Sequence, residues 1–326
     1  MENYEYNVVE KSLTQDFMIK WVWMPFVKSV PKGVTPNMLT YIGLIFVTTM
    51  IAGVWAVHLG YTWGLLVAAA STFLYMLCDN TDGLLARSTG QTSRLGEFLD
   101  HWLDSISFVL VDSCIAYSLG LTGMWFFVFV ALLTLAFYIT MWEHHYTGIF
   151  FSGHIGSNER MFVYIALYIC VFFVGDSTWL TFSSDSWTNV PMILFILVVI
   201  GSVLTSIGCI IRVKKHFLDV TLFTLAVATV GLWSYYHLLA VHWVVALLTT
   251  INMIFCGKLI KMHLTTTPSP YRYKLLILAL PLYIALPFIA SWHSFTYYVV
   301  YAAVFCMGMT ALWDGVFTIR HLKSNK

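Results

Sequence analysis

Charge is what this sequence has least of. Only 10% of its 326 residues are Asp, Glu, Lys or Arg, against about 25% in an ordinary soluble domain. Aromatic residues reach 17% and mean hydropathy is +0.79. A soluble core could not hide so much apolar surface, so composition excludes an ordinary soluble protein and points to a chain that crosses a membrane repeatedly. Clustered cysteine is missing too. Cys78, Cys114, Cys170, Cys209, Cys256 and Cys306 stand singly in apolar segments, which argues against a disulfide framework and against a cysteine metal knuckle. The opening stretch, MENYEYNVVEKSLTQ, is polar and partly acidic, so no cleavable signal peptide is expected. Neither internal repeats nor low-complexity tracts interrupt the chain, and a single domain over 1–326 is the simplest expectation.

What is present is a series of apolar runs about 20 residues long, the length a helix needs to cross a bilayer. Ten candidate spans fall near 38–58, 61–82, 95–119, 121–145, 158–174, 190–211, 217–233, 236–258, 272–291 and 295–318. The expected fold class is therefore an all-α polytopic membrane protein. With ten spans both termini share one side, and all 17 Lys and Arg residues fall on it. Lys11, Lys20, Lys28 and Lys32 precede the first span, and Arg87 and Arg94 lie between the second and third. Arg160, Arg212, Lys214, Lys215, Lys258, Lys261, Arg272 and Lys274 occupy alternate later loops, and Arg320, Lys323 and Lys326 end the chain. The opposite loops carry only Asp176 and Asp185. The positive-inside rule makes the basic side cytoplasmic. The net charge of +1 says nothing, while its sidedness decides the topology. Ahead of the first span, FMIKWVWMPFVKSV mixes bulky apolar groups with lysines and reads as a helix lying on the cytoplasmic leaflet.

One stretch breaks the apolar pattern. DNTDGLLARSTGQTSRLGEFLDHWLD, residues 79–104, holds five carboxylates against Arg87 and Arg94. Asp79 and Asp82 are three apart on a helix, and Asp100 and Asp104 four apart, so each pair shares a face. Glu97 lies one turn before Asp100. Facing pairs at roughly 5 Å would repel by about 3 kcal/mol each at an effective dielectric near 20. A pure ion-pair network leaves three negative charges unmatched. Carboxylates without His or Cys suit Mg²⁺ or Mn²⁺, and four shared carboxylates suit a pair of ions of the kind that serves phosphoryl displacement. Gly83 and Gly96 permit close approach of a ligand or backbone, and Arg87 offers a planar fork for phosphate.

The spacing Asp79-x2-Asp82-Gly83-x2-Ala86-Arg87-x8-Gly96-x3-Asp100-x3-Asp104 resembles, at all its fixed positions, the signature of CDP-alcohol phosphotransferases. Thr35-Pro36-Asn37-Met38-Leu39-Thr40 is similar to the PNxxT start of the first helix in that superfamily. His101 directly after Asp100, and the segment Trp142-Glu143-His144-His145-Tyr146-Thr147-Gly148, resemble the choline/ethanolamine phosphotransferase branch, as does the span count. Ser88 and Trp102 stand where that branch usually has Arg and Gly.

The resemblance implies transfer of phosphocholine or phosphoethanolamine from its CDP ester to diacylglycerol, with release of CMP and use of Mg²⁺, for which Mn²⁺ could substitute. It implies metal binding by Asp79, Asp82, Asp100 and Asp104, and substrate contacts from Asn37, Gly83, Ala86, Arg87, Gly96 and Glu97. The catalytic core would span about 35–160, with additional helices over about 190–318. His101, beside a metal ligand and with an imidazole's ordinary pKa near neutrality, is expected as the general base. Glu143, which the topology puts at the cytoplasmic end of the fourth span, is expected to orient His101 or share its proton. His144 and His145 point to different helix faces and read as interfacial structure. Asp112 and Asp314 are intramembrane carboxylates, open to a functional role or to a hydrogen-bonded helix contact. Expected partners are the CDP-amino alcohol, diacylglycerol, the bilayer and a second copy of the chain, with no nucleic acid. The compartment would be endoplasmic reticulum or Golgi in a eukaryote and the inner membrane in a bacterium.

Two other readings compete. A phosphatidyltransferase would use CDP-diacylglycerol and a small alcohol on the same motif, but His101 and the WEHHYTG segment favour the first reading. A transporter would fit the span count, yet transporters usually show half-to-half repeats with interrupted helices near the midplane, whereas this chain puts its charge at one membrane face.

Overall fold

The computed structural model describes residues 8–10, 12–153, 156–175, 182–183, 185, 188–236, 239–265 and 293–324. The elements are β1 (Val8–Glu10), α1 (Gln15–Met18), a π-helical turn (Ile19–Trp23), α2 (Met24–Ser29), α3 (Pro36–His58), α4 (Gly64–Thr89), α5 (Arg94–Ser118), α6 (Gly123–Thr147), β2 (Phe150–Ser152), α7 (Ser157–Val174), α8 (Val190–Val213), α9 (Phe217–Tyr235), α10 (Val241–Thr265) and α11 (His293–Ser324). Nine of the ten expected spans thus appear as helices, with ends displaced by a few residues; the expected span 272–291 lies outside the described residues. Among the described residues, α3, α6, α7, α8, α9 and α10 are long and apolar enough to cross a membrane. The helices α4 and α5 are as long, but they carry the acidic stretch, which lowers their hydropathy. The protein is an integral membrane protein built from helices, with one short parallel strand pair, β1 on β2, among the described residues.

The chain falls into two compact units, Met1–Leu121 with Ile149–Leu197 and Thr122–Gly148 with Val198–Lys326. In the first, α3 packs along α4 and α5, and α4 also packs on α7. Pro36 opens α3 behind an extended Thr35, as its fixed φ and missing N–H suit a first helical position. The crossing of α3 and α4 depends on two glycines. A Cβ at Gly53 would lie 2.7 Å from the Gly64 carbonyl oxygen, and a Cβ at Gly64 would overlap the Gly53 carbonyl, so only bare backbones come this close.

The N-terminal segment is tied to the start of α7. Glu159 caps that helix by accepting from Gly156 N at 2.8 Å, and its other oxygen accepts from Ser12 Oγ (2.6 Å), Thr14 N (3.0 Å) and Thr14 Oγ1 (2.9 Å). Asn158 donates to Gln15 Oε1 at 2.7 Å and to Asn80 Oδ1 at 3.0 Å. Helical turns over 15–29 bury Met18, Trp23 and Val27 on one face and expose Phe17 and Trp21, one turn apart, on another. That two-sided pattern is what a helix lying along a membrane surface needs.

The second unit is held by aromatic contacts between α6, α9 and α10. Tyr138 stacks on Phe223 with centroids 3.9 Å apart, and Phe255 meets both edge-on. Asp219 at the start of α9 accepts from Tyr146 OH (2.7 Å) and pairs with Lys258 (3.3 Å), joining the same helices at one end.

Candidate active site

Two helix ends present the acidic stretch. Gly90 takes a left-handed φ of +68° and stops α4, the conformation glycine adopts without strain. A short turn follows, and Ser93 Oγ accepts from Gly96 N at 3.1 Å to start α5, a side-chain cap for an otherwise orphaned donor. The acids therefore sit in the last three turns of α4 and the first three of α5. One oxygen from each of Asp79, Asp100 and Asp104 lies within 4.8 Å of the others. Three carboxylates this close require a cation or protons, and their all-oxygen donor set fits a hard divalent ion.

Asp82 is held differently. It is 4% exposed, its Oδ2 accepts from Thr40 Oγ1 at 2.7 Å, and its Oδ1 accepts from the Gly83 amide. Thr40 stands one turn into α3, so the Thr35–Thr40 motif reaches the acids through this hydroxyl. Asp104 has a matching partner. Its Oδ1 accepts from Tyr75 OH at 3.1 Å.

The residues expected to contact substrate surround the same helix ends. A Cβ placed on Gly96 would come within 3.4 Å of Asn37 Oδ1 and 3.3 Å of Ser93 Oγ, so Gly96 lets the starts of α3 and α5 approach. Arg87 is exposed and folds its guanidinium back along Gly83, where a Cβ would lie 3.2 Å from Nη1. Ala86 is half-buried and Glu97 is buried. Trp102, at the position where the resembling branch has Gly, stacks on Phe98 with centroids 5.6 Å apart and so packs the back of α5.

His101 is 5% exposed. Its Nε2 stands 4.0 Å from Asp100 Oδ2, and its ring lies 5.5 Å from Phe150 of β2. Glu143 belongs to the other unit, where Arg212 engages it at two points: Arg212 Nε donates to Oε1, and Nη2 to Oε2 at 2.9 Å. Asp112 is likewise committed. It is 1% exposed, pairs with Arg160 Nη1 at 3.0 Å and accepts from Tyr164 OH at 3.0 Å. Asp112 is thus the hydrogen-bonded helix contact, joining α5 to α7. Asp314 is half-buried on α11.

Sequence reasoning missed Tyr75, Arg212 and the target of Thr40. Tyr75 did carry a signal, since it lies one helical turn before Asp79. Arg212 carried only its sidedness, ending α8 on the face assigned to Glu143.

Residues 33–206 match the sequence profile described as CDP-alcohol phosphatidyltransferase. This chain belongs to that family. Among CDP-alcohol phosphatidyltransferase relatives, it is 31% identical to cholinephosphotransferase 1 of Danio rerio over 187 residues, 55% of this chain and 48% of that protein. It is 30% identical to cholinephosphotransferase 1 of Saccharomyces cerevisiae over 183 residues, 54% of this chain and 46% of that protein. An uncharacterised class-I family protein of Schizosaccharomyces pombe is 32% identical over 199 residues, covering 57% of this chain and 51% of that protein. The chain spans about half the length of the curated relatives it matches. The matched range, 33–206, includes the whole acidic stretch.

Proposed function

We propose that this protein transfers phosphocholine or phosphoethanolamine from the corresponding CDP ester to diacylglycerol, forming a phospholipid and releasing CMP. One observation carries the reading: Asp79, Asp100 and Asp104 converge at adjoining helix ends inside a sequence similar to cholinephosphotransferases. Asp82 joins them as a fourth ligand in this proposal, and a pair of divalent ions would neutralise the diphosphate as its anhydride bond breaks.

The chain's own residues do the rest. Asn37, Gly96 and Glu97 receive the CDP moiety, and Arg87, exposed beside Gly83, meets its phosphate charge. Gly83 and Ala86 keep the α4 surface low enough for the diphosphate to lie against it. The diacylglycerol hydroxyl oxygen bonds to the phosphorus that bears the amino alcohol. The bond from that phosphorus to the CMP oxygen breaks, and CMP leaves with the electron pair. His101 takes the hydroxyl proton. The acceptor's acyl chains stay in lipid while the water-soluble donor arrives from the basic, cytoplasmic side. The whole chain works as one membrane domain and pairs with a second copy.

The test is a donor-by-acceptor assay on the purified, reconstituted protein. CDP-choline and CDP-ethanolamine are each offered with diacylglycerol, and CDP-diacylglycerol is offered with each free alcohol. Phosphatidylcholine or phosphatidylethanolamine from the first set is the expected result. Product from the second set alone would reverse the assignment to a phosphatidyltransferase.

A further inference from the structure

We propose that Tyr75 is a positioning residue for Asp104, and through it for the divalent ion the acidic cluster takes; this rests on the metal-binding reading above. Tyr75 lies outside the acidic motif, on α4. The residue is 3% exposed and its hydroxyl donates to Asp104 Oδ1 at 3.1 Å.

Three helices fix where that hydroxyl stands. The ring rises from α4 and meets Phe108 of α5 edge-on, with centroids 6.5 Å apart and planes at 81°. On its other side α3 comes close at Gly43, where a Cβ would already be 3.5 Å from Tyr75 Cδ2. Phe108 is itself covered by the Arg160 guanidinium, 4.9 Å from its centroid. A phenol packed in this way cannot swing, so its O–H points from one place.

The consequence for Asp104 is orientational. A carboxylate at the end of a short side chain turns about its last bond, and each orientation presents its oxygens differently. A donor fixed on one oxygen restrains that rotation, which would hold the other oxygen ready for the ion this cluster would bind. Asp82 receives the same treatment from Thr40. Donors of this kind typically change metal affinity or activity by about 10–100-fold when removed. Tyr75 is a donor on this carboxylate and lies outside the motif itself.

The experiment uses the full-length reconstituted protein and Mn²⁺ as the probe, with free Mn²⁺ read by electron paramagnetic resonance. Tyr75→Phe keeps the packed ring and removes only the hydroxyl. It should bind Mn²⁺ about 10–100-fold more weakly than the unsubstituted protein. Turnover should fall at limiting metal and recover at saturating metal, with KM for the CDP donor unchanged. In an Asp104→Asn background, adding Tyr75→Phe should weaken Mn²⁺ binding less than about 2-fold, because the route through Asp104 is already lost. Unchanged Mn²⁺ affinity in Tyr75→Phe, or an equal loss in both backgrounds, would overturn the proposal. If the unsubstituted protein itself bound no Mn²⁺, the metal reading would fall first and this proposal with it.

Discussion

Glu143, with a side chain only 3% exposed, is gripped at two points by the guanidinium of Arg212, which is 39% exposed. The pair joins α6 to the end of α8 within one unit. A buried carboxylate stripped of its partner retains its desolvation cost, which for a charged group exceeds the roughly 1–3 kcal/mol of a stranded neutral one. Arg212→Met should therefore lower the thermal unfolding temperature of the detergent-solubilised protein. The double variant Glu143→Gln/Arg212→Met should recover part of that loss, because no stranded charge remains. A double variant no more stable than Arg212→Met alone would show that the pair contributes nothing through its charge.

Asp100 lies in the converging triad, beside His101. If Asp100 holds a shared ion as proposed, replacing it with a neutral amide should cost at least about 10³ in rate, since such a carboxylate would have no substitute. Chelation with EDTA should abolish activity, and added Mg²⁺ or Mn²⁺ should restore it. Full turnover after exhaustive chelation would exclude a metal role for these acids.

His101→Ala separates proton transfer from binding. The expected loss is roughly 10²–10⁴ in kcat, the range for removing a general base. Calorimetric affinity for a CDP-amino alcohol should change little. A variant that kept its maximal rate and lost nucleotide affinity would make His101 a binding residue.

Gly64→Ala places a methyl group against the Gly53 carbonyl at the α3–α4 crossing. Backbone cannot yield there as a flexible side chain would, so overpacking should cost about 1–3 kcal/mol. Because α4 and α3 carry Asp79, Asp82 and Thr40, activity should fall with stability. An unfolding temperature unchanged from the unsubstituted protein would show that the helices part freely at this point.

The acidic site was legible because its spacing is local. Separations of three and four residues along a helix bring side chains onto one face, so the convergence of Asp79, Asp100 and Asp104 could be anticipated before any fold was known, whereas the contact of Asp82 with Thr40 could not. Helices were legible for a similar reason, since each crossing needs an apolar run of bilayer length. The partners of those residues were not. Tyr75 and Asp104 are 29 residues apart, Thr40 and Asp82 are 42 apart, and Glu143 and Arg212 are 69 apart. Such pairs depend on how helices are arranged, which periodicity within one helix does not encode. Asp112 shows the same limit: its burial in an apolar run was visible, but the arginine that neutralises it comes from α7. The parallel pairing of Val8–Glu10 with Phe150–Ser152 is also long-range, and three-residue strands leave almost no trace in sequence.

In the proposed reaction, phosphorus moves from a cytidine nucleotide to the hydroxyl of diacylglycerol. The direct measurement follows a ³²P label on the choline-side or ethanolamine-side phosphate of the CDP donor, using reconstituted protein and unlabelled diacylglycerol. All transferred label is expected in phospholipid, with unlabelled CMP in equal amount, and neither product from Asp100→Asn. Label retained in the nucleotide, or phospholipid formed only when CDP-diacylglycerol is supplied, would contradict it.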